Sequence, residues 1–437
     1  MIFGEEQKRY PIEKSEVWEA FKIVRAKGES PGVDGITIKT VDSKPRKYLY
    51  PVWNRLTSGS YYPPAVRQKL IPKANGKMRA LGIPTVTDRV AQIVIKRKLE
   101  KHVDGHFSAN SFGYRPGKSA HDAIEQCRVN CQWFDWAIDL DIEGFFDNID
   151  HELMMQMVRH FTQEKYILMY VERWLKARVQ LPDGTLRESA GKGTPQGGVI
   201  SPLLANIFLH FAFDEWFGTR YPKGAFERYA DDIIVHCSQY EEAVKTLESI
   251  DLRLKEYKLN LNRSKTKIVY CNSNQKQRYP KEKQSRSFDF LGYTFKPRIV
   301  STGKRLKLGF TPAISKKSQK RICETVFKLS IHRMVHLSID KIALILKSKI
   351  RGWINYYGKF RKSALRGVFR ILNFRLALWV RNKYRRFRKK HPYFAYLWLS
   401  GICRDYPNLF IHWEYGFRPL SLSFEEPYES RGSSTVL

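Results

Sequence analysis

No run of about 18 consecutive apolar residues occurs in this 437-residue sequence, so a membrane-spanning helix is not expected. The opening MIFGEEQKRY lacks the apolar core of a secretory signal. A soluble intracellular protein is expected, cytoplasmic in a bacterial-type cell or associated with its nucleoid. Cysteine is sparse: Cys127, Cys131, Cys237, Cys271, Cys323 and Cys403 form no CxxC pair, which argues against a disulfide framework or a zinc ribbon. Cys127 and Cys131 stand four apart and read as two small apolar residues on one buried helix face. Acidic residues are the third shortage, 43 against 77 Lys and Arg, for a net charge of +34.

What is present is enough apolar material to fold. With 43% hydrophobic and 14% aromatic residues, wholesale disorder is excluded, and the length suits two or three domains. The positive excess is regional: residues 301–390 hold 26 Lys and Arg against Glu324 and Asp340 alone. Its densest part contains Arg381, Lys383, Arg385 and Arg386 interleaved with Tyr384 and Phe387, a pattern suited to phosphate neutralisation and base stacking. An anionic membrane surface is the competing partner. The apolar residues nearby, Ile350, Trp353, Ile354 and Tyr357, read instead as a helix face packing on its own domain, which favours nucleic acid.

A helix is expected around Val17–Val24. Strands and helices alternate from Pro51 to Phe295, an α+β pattern, and helical spacing takes over after Pro312, from Ile322 to about Trp379. In Trp136–Ile142 the period-2 alternation puts Asp139 and Asp141 on one face of an otherwise apolar strand. In Arg228–Val235 the acids Asp231 and Asp232 sit between apolar runs, as at the tip of a hairpin. Carboxylates on buried strands are costly unless something positive meets them. Divalent cations between Asp141 and Asp231 would meet that need, and paired metals about 3.5–4 Å apart are the apparatus of phosphoryl-transferring polymerases and nucleases. Leu70–Ala80 reads as a hairpin turning at Ala74-Asn75-Gly76, with Lys73, Lys77 and Arg79 on one face, suited to a triphosphate. Ser201-Pro202 reads as the cap and first residue of a helix that buries Leu203, Leu204, Ile207, Phe208 and Phe211.

Tyr229-Ala230-Asp231-Asp232, after a basic and aromatic strand, resembles the YxDD box of reverse transcriptases. Asp141–Asp147 resembles the first carboxylate motif of that family. Leu81–Arg89, Ser111–Pro116 and Gly193–Asn206 resemble segments of group II intron reverse transcriptases and maturases. Phe290–Phe295 is similar to the primer-grip segment and Ile350–Tyr357 to the maturase (X) region. The chain is thereby identified as similar to the group II intron-encoded reverse transcriptase/maturase family over about residues 10 to 390. Many members end in a Cys/His endonuclease domain; the cysteines here form no such cluster, so an endonuclease-lacking member is expected.

The resemblance implies a right-hand polymerase: an N-terminal extension (1–50), α+β fingers and palm with a ferredoxin-like core (51–295), an all-helical basic thumb and maturase region (296–395), and a tail (396–437). It implies RNA-directed DNA synthesis from a primer strand with dNTPs on an RNA template, together with binding of a group II intron RNA and target DNA. Two Mg²⁺ ions, with Mn²⁺ as a substitute, would be held by Asp141, Asp231, Asp232 and the backbone carbonyl of Ile142. One would lower the pKa of the primer 3′-hydroxyl while the other neutralises triphosphate charge. Asp139 falls outside the family spacing and is expected to be structural or to support the metal-binding acids from behind. Phe146 would exclude a ribose 2′-hydroxyl, with Phe145 as the core residue. Lys73, Arg79, Gln196 and Gly197 would meet the nucleotide, and Lys265 the leaving pyrophosphate. Phe290, Leu291 and Gly292 would form the primer grip. Arg351, Arg381, Lys383, Arg385 and Arg386 would contact nucleic-acid phosphates. Two rival readings remain: an RNA-splicing binding protein whose polymerase site is vestigial, and a domesticated reverse transcriptase in repair or defence.

Overall fold

The computed structural model describes residues 9–28, 30–72, 78–272, 285–302 and 305–419. The chain forms two compact units, Met1–Arg286 and Ser287–Leu437.

In the first unit the strands are β1 (Val66–Pro72), β2 (Met78–Ile83), β3 (Trp136–Leu140), β4 (Val179–Gln180), β5 (Leu186–Arg187), β6 (Ala225–Tyr229), β7 (Asp232–Cys237) and β8 (Lys267–Tyr270). One sheet has the order β2-β1-β4-β5. The other, β6-β7-β3-β8, is antiparallel throughout, and helix Tyr240–Glu256 joins β7 to β8. Helices also separate β3 from β6, so this is the β-α-β-β-α-β arrangement of ferredoxin-like folds. The expected α+β class and ferredoxin-like core are both present. Strands β3 and β7 are apolar because the sheet's middle is buried: Ile138, Leu140, Ile233, Ile234 and Val235 are almost fully covered.

The N-terminal residues join the same core. Helix Lys14–Lys27 buries Val17, Ala20, Phe21 and Val24, spaced three and four apart. Helix Pro45–Ser58 runs across the boundary expected at residue 50 and buries Leu49, Val52 and Leu56.

The second unit departs from expectation. It is not all-helical: β9 (Phe288–Phe290), β10 (Tyr293–Thr302) and β11 (Arg305–Ile314) form a sheet of order β11-β10-β9. Strand β10 pairs with β11 along ten residues of each, from Tyr293↔Ile314 to Thr302↔Arg305. The alternation of Tyr293, Phe295 and, across the hairpin, Phe310 buries one face, whereas Ile299 and Leu306 toward its far end are exposed. Lys296, Arg298 and Lys307 fill the other face of a period-2 alternation with Tyr293, Phe295, Ile299, Leu306, Leu308 and Phe310, a strand signal passed over in favour of the regional charge. Helices follow at Lys316–Lys328, Ile339–Arg361, Arg366–Lys383 and Pro392–Asp405. Among the described residues no helix is long and apolar enough to cross a membrane.

The aromatic segment Phe410–Trp413 is core rather than tail. Trp413 and His412 are fully buried, and both Trp413 Nε1 (3.0 Å) and His412 Nε2 (2.8 Å) meet the amide oxygen of Asn373. An amide oxygen only accepts, so Nε2 carries the proton and the ring is neutral. Burial lowers His412 to about 3. A depressed folded pKa means stability present above the unfolded value, about 6.5, and lost as pH falls toward 3. Wild-type stability is expected to fall by up to about 1.4 kcal/mol per pH unit below 6.5 through this group. Melts at successive pH values should show a shallower decline for His412→Gln.

Candidate active site

The two acidic segments meet on the ferredoxin-like sheet. Tyr229 pairs with Asp232, so Ala230 and Asp231 form a two-residue hairpin loop between β6 and β7. Ala230 alone of the two has positive φ (56°), as the first central residue of a type II′ turn does. Asp231 is half-buried, and Asp232 is exposed at the start of β7. Burial pushes the Asp231 carboxyl up and the charge of Asp141 adds to the shift, while Arg79 opposes it. A half-buried carboxylate held beside a second one in this way leaves a place for a cation.

Asp141 follows β3. Its carboxylate receives the Lys265 ammonium at 3.0 and 3.1 Å, and its carbonyl accepts from Asn262 N–H at 2.7 Å. The bridge between Ile142 and Leu261 is closed by the flanking pairs, Asn262 to Asp141 and Glu143 to Asn260, which turns the Ile142 carbonyl to the other side. Ile142's side chain is core. Asp139 lies opposite Lys267 across the ladder with β8, a setting that fits its expected structural role.

Around these acids the loop segments interlock. Arg79 Nε donates to Gln196 Oε1 at 2.6 Å, and Gln196 Nε2 reaches Asp147 at 3.3 Å. Gly82 N–H donates to the Gln196 carbonyl at 2.7 Å. Gly197 has φ 118°, and a Cβ there would come within 2.4 Å of the Gly82 oxygen, so only glycine fits. The loop is tied to the first carboxylate motif through Thr194 N–H to Phe146 O, 2.8 Å. Phe145 is buried and Phe146 half-buried, their rings packed edge to face. Ser201 is the first helical residue rather than the cap: its hydroxyl donates to Pro195 O at 3.0 Å, and the Val199 and Ile200 N–H groups reach Gln92 Oε1 instead. Leu203, Leu204, Ile207 and Phe208 are core, but Phe211 is only half-buried. Lys73 and Lys77 lie outside the described residues.

A buried layer under the Asp231 turn was missed. Arg228, fully buried, donates to Asp214 in bidentate fashion (2.7 and 2.5 Å), to Asn206 Oδ1 (2.9 Å) and to the Ala230 carbonyl (3.2 Å). Asn206 in turn donates to Gly113 O at 2.6 Å. Arg228 immediately precedes the acidic turn, which was its one sequence signal; Asp214 lies too far away in the chain to suggest the pairing. Gly113 explains the Ser111–Pro116 motif, since a Cβ there would stand 2.4 Å from Ala230 N. Gly113→Ala is expected to cost about 1–3 kcal/mol by overpacking and about 100-fold in nucleotide addition by displacing the turn. Melts and single-nucleotide incorporation measure the two effects separately.

In the second unit the primer-grip residues form another two-residue turn. Phe290 pairs with Tyr293, and Leu291 and Gly292 both have positive φ (50° and 81°). Phe290 is buried; Leu291 O accepts from Tyr356 Oη at 2.8 Å and Gly292 O from Ser318 Oγ at 3.0 Å. The segments resembling primer grip and maturase region are thus bonded to each other. Arg351, Arg385 and Arg386 are exposed and Arg381 is partly exposed. Lys383 differs: its ammonium donates to Leu337 O (2.6 Å) and Val335 O (3.0 Å), bracing a loop rather than standing clear for phosphate.

Fold and site together define a protein of the polymerase class, with a metal-suited pair of acids on a ferredoxin-like sheet beside cationic and glycine-rich loops. The family described as "Reverse transcriptase (RNA-dependent DNA polymerase)" matches residues 71–295, and "Group II intron, maturase-specific domain" matches 319–396. Protein YkfC of Escherichia coli is 32% identical over 56% of this chain and 73% of its own length. The group II intron-encoded protein LtrA of Lactococcus lactis is 28% identical over 77% of this chain, which spans 56% of LtrA's length. Among solved structures, a telomerase from Candida albicans in complex with a fragment of telomeric RNA aligns with TM-score 0.44 and 12% identity, covering 92% of this chain and 69% of that one. The chain belongs to the group II intron reverse transcriptase/maturase family, and by that membership to the RNA-directed DNA polymerases.

Proposed function

We propose that this chain extends a primer 3′-hydroxyl with dNTPs along an RNA template at Asp141 and Asp231, and that its basic second unit binds a group II intron RNA to assist splicing and insertion into target DNA. The convergence of Asp141, Asp231, Arg79, Gln196 and Lys265 carries the reading. The donor set is hard oxygen, as Mg²⁺ requires: the carboxylates of Asp141 and Asp231, the Ile142 carbonyl, and Asp232 in support. Two such ions, or Mn²⁺ in their place, supply Lewis-acid activation of the hydroxyl and neutralisation of phosphate charge. The protein's own contributions are positional. Arg79, oriented by Gln196, meets the triphosphate, and Lys265 neutralises either Asp141 or the leaving pyrophosphate. The Phe146 ring, packed on Phe145, fills the space a ribose 2′-hydroxyl would need. Phe290, Leu291 and Gly292 present a fixed turn to the primer backbone. Arg351, Arg381, Arg385 and Arg386 neutralise phosphates of an A-form duplex or folded RNA, which is read through its backbone.

Primer extension on an RNA template tests this. Radiolabelled cDNA is expected with Mg²⁺ and dNTPs, and none after chelation. Tight RNA binding without cDNA would favour the splicing-factor reading. RNA affinity should also fall steeply with salt, by about 10³-fold or more between 50 and 200 mM if six or more phosphates are neutralised. Filter binding across that range measures the slope.

A further inference from the structure

We infer that Cys127, Cys131, His236 and Cys271 form a buried tetrahedral zinc site in the first unit, on the half of the ferredoxin-like sheet away from the carboxylates. Helix Ala120–Trp133 presents Cys127 and Cys131 four apart on one face. The two sulfurs and a ring nitrogen of His236 all lie within 4.8 Å of one another. Cys271 follows β8, is fully buried and neighbours Cys131, but its sulfur stands outside that 4.8 Å cluster and donates to Val269 O at 3.7 Å; it would complete the set by turning from that carbonyl. Cys127 and Cys131 are more than a hundred residues from His236 and Cys271, which is why the sequence shows no second ligand pair beside them.

The histidine is arranged as a metal ligand is. Its Nε2 donates to Glu227 Oε2 at 2.8 Å, and Asn130 Nδ2 donates to the other Glu227 oxygen. The opposite nitrogen, Nδ1, is buried, has no oxygen or nitrogen partner, and neighbours the Cys131 sulfur, a fellow ligand. A carboxylate that fixes the tautomer on one nitrogen while the other is left for a metal is the usual outer arrangement of zinc-bound histidine. On binding, Nδ1 and the thiols of Cys127 and Cys271 release their protons to solvent, and sulfur and nitrogen lone pairs take their place at the ion. Three thiolates and one imidazole select Zn²⁺ over Mg²⁺, whose ligands are oxygens, and leave no open position for chemistry. The site's place gives it a purpose. His236 pairs with Ala137, and Ala137, Asp139 and Asp141 alternate along one face, so the ion would sit roughly 13 Å along β3 from Asp141 and tie helix Ala120–Trp133 to β7 and to the segment after β8, the two strands that flank β3.

The full chain, purified without chelator, is analysed for metal and reconstituted with Co²⁺. About one zinc per chain is expected, with the absorption bands of tetrahedral cobalt–thiolate after exchange. Asp231→Asn should retain both, placing the ion away from the polymerase acids. Cys131→Ser should lose both, while Cys403→Ser keeps them, and a strong chelator should lower the melting temperature by several degrees. If Cys131→Ser does not fold, the wild-type cobalt spectrum still decides. Zinc well below one equivalent, with no thiolate–cobalt bands, would overturn the proposal in favour of packed thiols. A disulfide among the three cysteines, found by mass spectrometry, would overturn it in favour of a redox pair.

Discussion

Asp231→Asn is expected to abolish DNA synthesis while leaving RNA affinity within a few fold and the apo fold more stable. Removing one of two carboxylates that would hold the metal takes away several kcal/mol of transition-state charge stabilisation, at least about a 10³-fold loss in rate. RNA affinity survives because the exposed cations that would bind phosphate, Arg351, Arg385 and Arg386, lie in the second unit. The stability change has a definite sign. Burial and the Asp141 charge raise the Asp231 pKa, so its contribution to stability is full at acid pH and is lost as pH rises through the folded value. At neutral pH the ionised carboxylate therefore weakens the metal-free fold, and a neutral amide relieves that. Melting temperatures of metal-free protein should rise in the variant at pH 7.5, with the difference shrinking on addition of Mg²⁺. Equal loss of RNA binding and synthesis would count against separable sites.

Arg228→Met is expected to cost about 3–5 kcal/mol, the largest stability effect anticipated in the first unit. Both members of the Arg228–Asp214 pair are 0% exposed. Burial already pushes Asp214 up, and Arg228 offsets it, so deleting the guanidinium leaves an uncompensated carboxylate. The double variant Arg228→Met/Asp214→Leu removes both charges and should recover most of the stability, since a buried pair can be replaced by apolar side chains at little net cost. Nucleotide addition should not recover, because Ala230 O and Asn206 Oδ1 lose the donor that fixes the turn under Asp231. Denaturant titration and incorporation kinetics on the three proteins check this. A fully active double variant would reduce Arg228 to a stabilising role only.

The acids were legible because their surroundings make them costly. Asp141 ends an apolar strand and Asp231 interrupts another, and few arrangements other than a cation site justify both. The α+β class followed from alternating periodicities, and the Gly193–Asn206 loop from its resemblance to the family. Other parts depended on partners distant in the chain. Nothing local to Arg228 names Asp214 or Asn206, and nothing local to Cys127 names His236. The β10–β11 hairpin did alternate, with Lys296, Arg298 and Lys307 on its outward face, but its cations were counted with the basic helices that follow. The Phe410–Trp413 segment reads as an aromatic tail until Asn373, some forty residues earlier, is found to bind both polar ring atoms.

Metal-directed cleavage locates the chemistry most directly. Fe²⁺ replaces Mg²⁺ at oxygen ligands and, with ascorbate and peroxide, cuts the backbone beside them. Cuts are expected near residues 141 and 231, suppressed by excess Mg²⁺ and missing in Asp231→Asn, under conditions where wild type makes cDNA. Active protein cut elsewhere, or cut equally in the variant, would contradict the assignment of nucleotidyl transfer to Asp141 and Asp231.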